Sequence, residues 1–212
     1  MSSFVRKVSL AVIAMATLAS LAAAQSNVSH FDLHPNPAFL SCLGTPGGPT
    51  PTAHVTVQHG DINDILTIEG KNIKPNLGFD LFTVQRSNLL ANGDVDPNFT
   101  NVGLAWYQSD LQADATGHFK TTIKTVLINE IFGVDADLNL APTNTFHLGF
   151  WFDNPNDANV DGCVFDVTKP TPFNGEHDAG PLAMITVPND RTNLGPLCTD
   201  PVNGHGTATC NP

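Results

Sequence analysis

FHLGFWFDNPNDANVDGC, residues 146–163, gives the clearest indication of the fold class, because alternating apolar residues run into a polar turn. In a β-strand, successive side chains point to opposite faces of the sheet. One face would then carry four large apolar side chains that need a core: Phe146, Leu148, Phe150 and Phe152. The other face would carry His147, Gly149 and Trp151. The stretch therefore predicts a core strand that ends in a turn of carboxylates and amides.

Short β-branched or aromatic runs recur along the chain, each bounded by Gly, Pro, Asn or Asp. They are residues 54–59, 64–69, 79–85, 102–108, 118–127, 145–152, 163–167 and 182–187. Short strands separated by turn residues are typical of an antiparallel sandwich. We therefore predict an all-β fold, an antiparallel β-sandwich of about eight strands.

The run 118–127 has one apolar and one polar face. Phe119 and Leu127 share the face expected in the core, whereas the lysines of the run point to water. An antiparallel sheet tolerates one wet face. The preceding DATG segment predicts a turn in which Gly117 adopts a positive φ.

LTIEGKNIKPNLGFDLFTVQ (residues 66–85) joins two strands through a turn that contains Gly70 and the pair Pro75-Asn76, and DLQADATGHFKTTI (residues 110–123) contains an Asp-Ala-x-Gly-x-Phe turn. These two segments resemble secreted bacterial immunoglobulin-like β-sandwich modules, which often combine a Gly-x-x-Pro-Asn turn with a later Asp-Ala-x-Gly-x-Phe turn. The resemblance implies an immunoglobulin-like or jelly-roll-like sandwich outside the cytoplasm. It implies no particular activity, because fold does not carry function.

The N-terminus has the features of a secretory signal peptide. Arg6 and Lys7 precede an uncharged apolar run over residues 8–21, and three alanines end at Ala24. A basic start, a short apolar segment and small residues before a cleavage point are typical of such a leader. We therefore expect residues 1–24 to be removed and the protein to be secreted, into the periplasm or the extracellular space.

The chain is acidic, with 9 Lys and Arg against 20 Asp and Glu and a formal net charge of −11. Such a surface repels phosphate backbones and anionic lipids, so we expect neither nucleic acid nor a membrane as partner.

Composition divides the rest of the chain into three parts. Residues 25–52 are rich in Pro, Gly and Ser and predict an extended N-terminal arm. We expect residues 53–190 to form the β-sandwich domain and residues 191–212 to form a C-terminal tail.

The four cysteines are Cys42, Cys163, Cys198 and Cys210. In a secreted chain they predict two disulfides, with three pairings open. We favour Cys198–Cys210, whose short loop costs little entropy to close. This leaves Cys42–Cys163, and the tail would be held by its own bridge.

The polar turn after residue 152 has alternate oxygen ligands at calcium-loop spacing. Asp157, Asn159 and Asp161 precede Gly162, as at the start of such a loop, and Asp153 lies nearby to complete a cage. The alternative is a polar turn whose Asn and Asp side chains bond the local backbone. Calcium is thus the one cofactor that the sequence suggests.

Trp151 and His147 form a second candidate site. An outward Trp beside Gly149, with a nearby His, could stack against a sugar ring. The alternative is a Trp packed beneath a loop, since large apolar side chains seldom stay bare.

A third candidate lies in the loop PTPFNGEHDAG, residues 170–180. Glu176, His177 and Asp178 are adjacent titratable groups, and His147 could join them in a metal-dependent hydrolase or oxidoreductase. No nucleophile elbow, zinc-protease pair or phosphate loop occurs in the sequence. We therefore expect a non-enzymatic binding or structural module with an extracellular carbohydrate or protein ligand, and keep the enzyme as the alternative.

Overall fold

The computed structural model describes residues 28–60, 62–125, 127, 145–168, 179–191 and 193–198. These residues form nine strands, two short helices and a 3-10 turn at Pro37–Phe39. The strands are β1 (Val28–Pro35), β2 (Thr52–Gln58), β3 (Asp64–Lys71), β4 (Gly78–Val84), β5 (Ala105–Gln112), β6 (Phe119–Thr125), β7 (Thr145–Phe152), β8 (Leu182–Ile185) and β9 (Leu197–Cys198), and the helices are α1 (Leu40–Leu43) and α2 (Asp157–Val160).

The described strands pair antiparallel in the order β5-β4-β7-β8-β1-β2-β3-β6, with β9 added beside β7. The two ends of this order approach each other, because the Thr125 hydroxyl of β6 donates to the Gln108 side-chain oxygen of β5. The sheet is therefore nearly closed. The prediction of an all-β antiparallel fold with about eight strands is confirmed.

Strand β1 joins the two halves of the sheet. Its residues 28–33 pair with β2, and its last two residues, His34 and Pro35, pair with β8. This part of the predicted arm 25–52 is thus a strand inside the sheet. Phe31 and Leu33 alternate with polar residues as a strand requires, whereas most of the Pro and Gly residues of the segment lie in residues 44–51. Residues 197–198 of the predicted tail likewise pair with β7.

Strand β7 lies between two apolar clusters. The predicted core face is confirmed, since Phe146, Leu148, Phe150 and Phe152 all belong to the main cluster. The centroid of the Phe150 ring lies 4.8 Å from that of Phe79 on β4. The opposite face is also covered, by a smaller cluster that includes Phe82, Leu89, Val102, Trp151 and Ile185. Both faces of this central strand are therefore dry over most of its length.

The two turns that carry the immunoglobulin-like resemblance dock against each other. The Ile73 amide donates to the Gly117 carbonyl at 3.1 Å, and the Asn76 amide donates to the Asp114 carbonyl at 3.3 Å. Gly117 has φ = 74°, as predicted. The two turns are thus hydrogen-bonded to each other at one end of the sheet.

A disulfide joins Cys42 of α1 to Cys163, with 5.5 Å between the Cα atoms. The predicted Cys42–Cys163 pairing is confirmed. Cys198 ends β9, and Cys210 lies outside the described residues, so the second pairing stays a prediction.

The strand predicted at residues 163–167 is wrong. These residues follow α2 as a loop, and Val164 is 95 % exposed. The backbone of Phe165 bonds the side chain of Asn159 instead of a neighbouring strand.

Candidate functional site

His147 is a buried histidine on the second face of β7, opposite Val84 of β4. Its Nδ1 atom lies 3.1 Å from the Thr186 carbonyl oxygen and 2.9 Å from the Thr186 hydroxyl. Because a carbonyl oxygen can only accept a hydrogen bond, we assign the ring proton to Nδ1. Nε2 then carries no proton and can accept a hydrogen bond from another group.

A cleft of about 280 Å³ opens beside His147, where β4 ends and β7 begins. Its polar lining comprises Gln85, Arg86, Ser87, Asp96, His147 and Asn193. The Arg86 guanidinium lies 5.9 Å from the centroid of the Phe99 ring, a cation–π contact that restrains it. An imidazole, a cation and a carboxylate therefore line one concave surface.

Burial lowers the pKa of His147 to about 4, and the hydrogen bond with Thr186 only partly opposes this effect. The imidazole is consequently neutral at neutral pH. It can accept a hydrogen bond from a ligand, but it does not supply a positive charge.

We expect His147 to make the protein less stable in acid. The unfolded chain protonates this histidine below about pH 6.5, whereas the folded protein resists protonation down to about pH 4. The stabilisation is therefore complete above pH 6.5, is lost as the pH falls toward 4, and amounts to about 3 kcal/mol over that range. Urea unfolding of the wild type and of His147→Gln at pH 7 and pH 4.5 measures the effect.

The difference between these two proteins isolates His147, because the carboxyl groups titrate in both. His30→Gln, at an exposed position of β1, is the control and should lose as much stability in acid as the wild type. Equal acid sensitivity in the wild type and His147→Gln would contradict the prediction.

Trp151 is 2 % exposed and lies in the second apolar cluster. Its ring packs edge-to-face against Phe82, with 5.6 Å between the centroids. The indole also lies against Gly149, where an added Cβ would sit 3.1 Å from the ring. Trp151 is therefore packed in the interior and is not an outward platform for a ligand. His147 lines the cleft, but Trp151 is not among the lining residues.

The turn with calcium-loop spacing is held by contacts to the protein itself. Asn159 lies in α2, donates from its side-chain amide to the Phe165 carbonyl at 2.8 Å, and accepts from the Phe165 amide at 2.7 Å. The Asp161 carboxylate forms an ion pair with the Lys74 ammonium. These contacts favour a structural turn over one organised by calcium.

The other two acids of this turn lie near each other. Burial raises the pKa of the Asp157 carboxyl, and the charges of Asp153 and Asp161 raise it further. Within the described ranges, no group of three or more His, Cys, Asp or Glu side chains is arranged to hold a metal ion.

The alternative site of Glu176, His177 and Asp178 lies outside the described residues. The structure therefore places only His147 of the predicted enzyme site, and the approach of His147 to His177 stays a prediction.

Three side chains that no sequence pattern singled out form a hydrogen-bonded chain: Ser29, His59 and Asp64. The Ser29 hydroxyl oxygen lies 3.2 Å from His59 Nε2, and His59 Nδ1 lies 3.1 Å from Asp64 Oδ1. No local motif marks them, since they come from β1, the residue directly after β2 and the first residue of β3. The signal that could have found them is the alternation of residues 28–35, which identifies β1 as a partner of β2.

No protein-family model, curated protein or solved structure matches the chain. Across the residues that the structure describes, no helix has the length and hydropathy needed to cross a membrane.

Proposed function

We propose that the chain is a secreted binding module that takes a small polar ligand in the His147 cleft. The observation that carries the proposal is the buried imidazole in the cleft wall, whose Nδ1 lies within hydrogen-bond distance of Thr186. A histidine with one fixed nitrogen presents a defined acceptor at the other nitrogen. Burial of a polar side chain costs free energy, and packing of the strands alone gives no reason for a polar ring at this position.

The lining of the cleft indicates the chemistry of the ligand. Nε2 of His147 accepts a hydrogen bond from a hydroxyl or amide, Asp96 accepts another, and Arg86 donates to an acidic group. The volume of about 280 Å³ lies near the lower end of small-ligand sites. A hydroxyl-rich molecule of monosaccharide size, with or without a carboxylate, fits these requirements.

The ring resonances of His147 give a direct test of this proposal. We expect glucose, N-acetylglucosamine or glucuronic acid at millimolar concentration to shift the Nε2 resonance of His147 in an NMR titration. His147→Gln should bind the same sugar at least about tenfold more weakly, because it loses one buried hydrogen bond. His30→Gln changes an exposed histidine of β1 that does not line the cleft, so it should bind as the wild type does. An unchanged His147 resonance with all three sugars would reject a carbohydrate site.

A secreted location is part of the proposal and is supported by two features. The N-terminal residues 1–24 have the composition of a signal peptide, and the Cys42–Cys163 disulfide suits an oxidising compartment. We also propose an immunoglobulin-like relationship, supported by the docking of the 70–78 and 114–117 turns. The proposal gives calcium no role, because Lys74 binds the Asp161 carboxylate and Phe165 binds the Asn159 amide.

A further inference from the structure

Three polar side chains converge on the inner face of the sheet at the end where β1 begins. Ser29 of β1 pairs with Val57 of β2, and Val57 pairs with Leu66 of β3. His59 lies two residues beyond Val57, and Asp64 lies two residues before Leu66. Because side chains alternate along a strand, Ser29 and Asp64 share the face of the buried Val57 and Leu66. His59, the residue directly after β2, joins them through its contacts with both side chains.

The order of the hydrogen bonds is that of an acyl-transfer triad. The Asp64 carboxylate can only accept, so we assign the ring proton of His59 to Nδ1, which lies 3.1 Å from Asp64 Oδ1. Nε2 is then an acceptor, and the Ser29 hydroxyl lies 3.2 Å from it. This arrangement supplies a nucleophile, a general base and a group that orients the base.

The surroundings suit this chemistry as well as the order does. The side chains of His59 and Asp64 are only 8 % and 9 % exposed, so water screens their interaction little. The Gly60 amide lies 3.4 Å from the same Asp64 oxygen and helps to orient the carboxylate. Ser29, in contrast, is partly exposed. A histidine and an aspartate that only stabilise the fold would need no serine beside them. Nucleophilic catalysis, in contrast, requires a hydroxyl that contacts Nε2 and is accessible to the substrate.

We propose that Ser29, His59 and Asp64 form an active site that hydrolyses small carboxylic esters. This activity goes beyond ligand binding at the His147 cleft, and none of the three residues lines that cleft. Ser29 Oγ attacks the ester carbonyl carbon while its proton passes to His59 Nε2. The carbonyl re-forms as the bond to the alkoxy group breaks, and His59 returns the proton to the leaving alcohol.

Water completes the cycle. His59 takes a proton from a water molecule as its oxygen attacks the acyl carbon, the bond to Ser29 Oγ breaks, and the proton returns to the serine. The products are one alcohol and one carboxylic acid, and no cofactor is needed. Asp64 acts as a positioning residue, because it contacts the base and not the substrate.

The experiment combines a covalent probe with a rate. The full chain is treated with an ethoxy fluorophosphonate, which replaces its fluoride with a serine oxygen, and the labelled peptide is located by mass spectrometry. We expect one label, on Ser29, and hydrolysis of p-nitrophenyl acetate that falls at least about 100-fold in Ser29→Ala and His59→Gln. The double variant should be no slower than either single one, since triad residues act as a unit.

Matched variants separate catalysis from folding. Two control variants change a serine and a histidine elsewhere: Ser109→Ala in strand β5 and His118→Gln at a partly exposed position. Both should retain the label on Ser29 and the wild-type rate of hydrolysis. Asp64→Asn should lower kcat with little change in KM, which a purely structural role would not produce. Circular dichroism melting establishes that each variant is folded. No label on the folded wild type, or equal hydrolysis by folded Ser29→Ala, would overturn the proposal whatever the result of sugar binding at His147.

Discussion

Replacing both Cys42 and Cys163 by serine is expected to lower the free energy of unfolding by about 5 kcal/mol. The bond joins residues 121 positions apart, so it excludes many conformations of the unfolded chain. It also ties α1, which follows β1, to the loop after α2. Loss of the bond therefore frees the two ends of a loop that contains six of the nine strands, β2 to β7. Urea unfolding followed by circular dichroism measures the change.

A neighbouring substitution provides the control for this prediction. The hydroxyl oxygen of Ser41 lies 3.4 Å from the Cys163 sulfur, so Ser41→Ala trims a polar group at the same place while the disulfide remains. We expect this variant to lose less than about 1 kcal/mol. A loss below about 1 kcal/mol in the double serine variant would show that the bridge contributes little to folding.

Replacing Gly117 by alanine is expected to destabilise the protein by about 4 kcal/mol. Gly117 has φ = 74°, a conformation that costs a side-chain-bearing residue roughly 1–3 kcal/mol. A Cβ atom would also lie 2.0 Å from the carbonyl oxygen of Ile73. The turn would have to move away from its partner, because a backbone oxygen cannot rotate aside as a flexible side chain can. The Ile73–Gly117 hydrogen bond between the two turns would then be lost.

Gly47 is a matched control, because it has the same φ of 74° but no atom within 4 Å of an added Cβ. Gly47→Ala should therefore show the conformational cost alone, about 1 kcal/mol. The difference between the two variants in urea unfolding measures the contribution of the packed turn. If both lost the same stability, docking of the two turns would not be what requires glycine at position 117.

Local sequence patterns and cysteine number predicted several parts of the molecule. The inward set of β7 and the buried Phe119 and Leu127 could be identified from alternation. The Cys42–Cys163 bridge could be predicted by elimination. Position 117 could be identified as a turn glycine, since Gly follows Asp-Ala-Thr there.

The environment of β7's second face could not be predicted in the same way. Alternation places His147 and Trp151 on one face, but it does not say what covers that face. Trp151 is covered by residues from the β4–β5 connection, such as Leu89 and Val102, whereas the cleft leaves room beside His147. Two residues with the same local pattern therefore have different environments.

The fold class, the core face of β7 and one disulfide could be predicted from the amino-acid sequence, because strand alternation and cysteine number are local or compositional properties. The burial of Trp151, the position of β1 between both halves of the sheet and the meeting of Ser29, His59 and Asp64 became evident in the folded chain. Each of these outcomes depends on strand pairing and chain connections between segments that no short pattern in the sequence links.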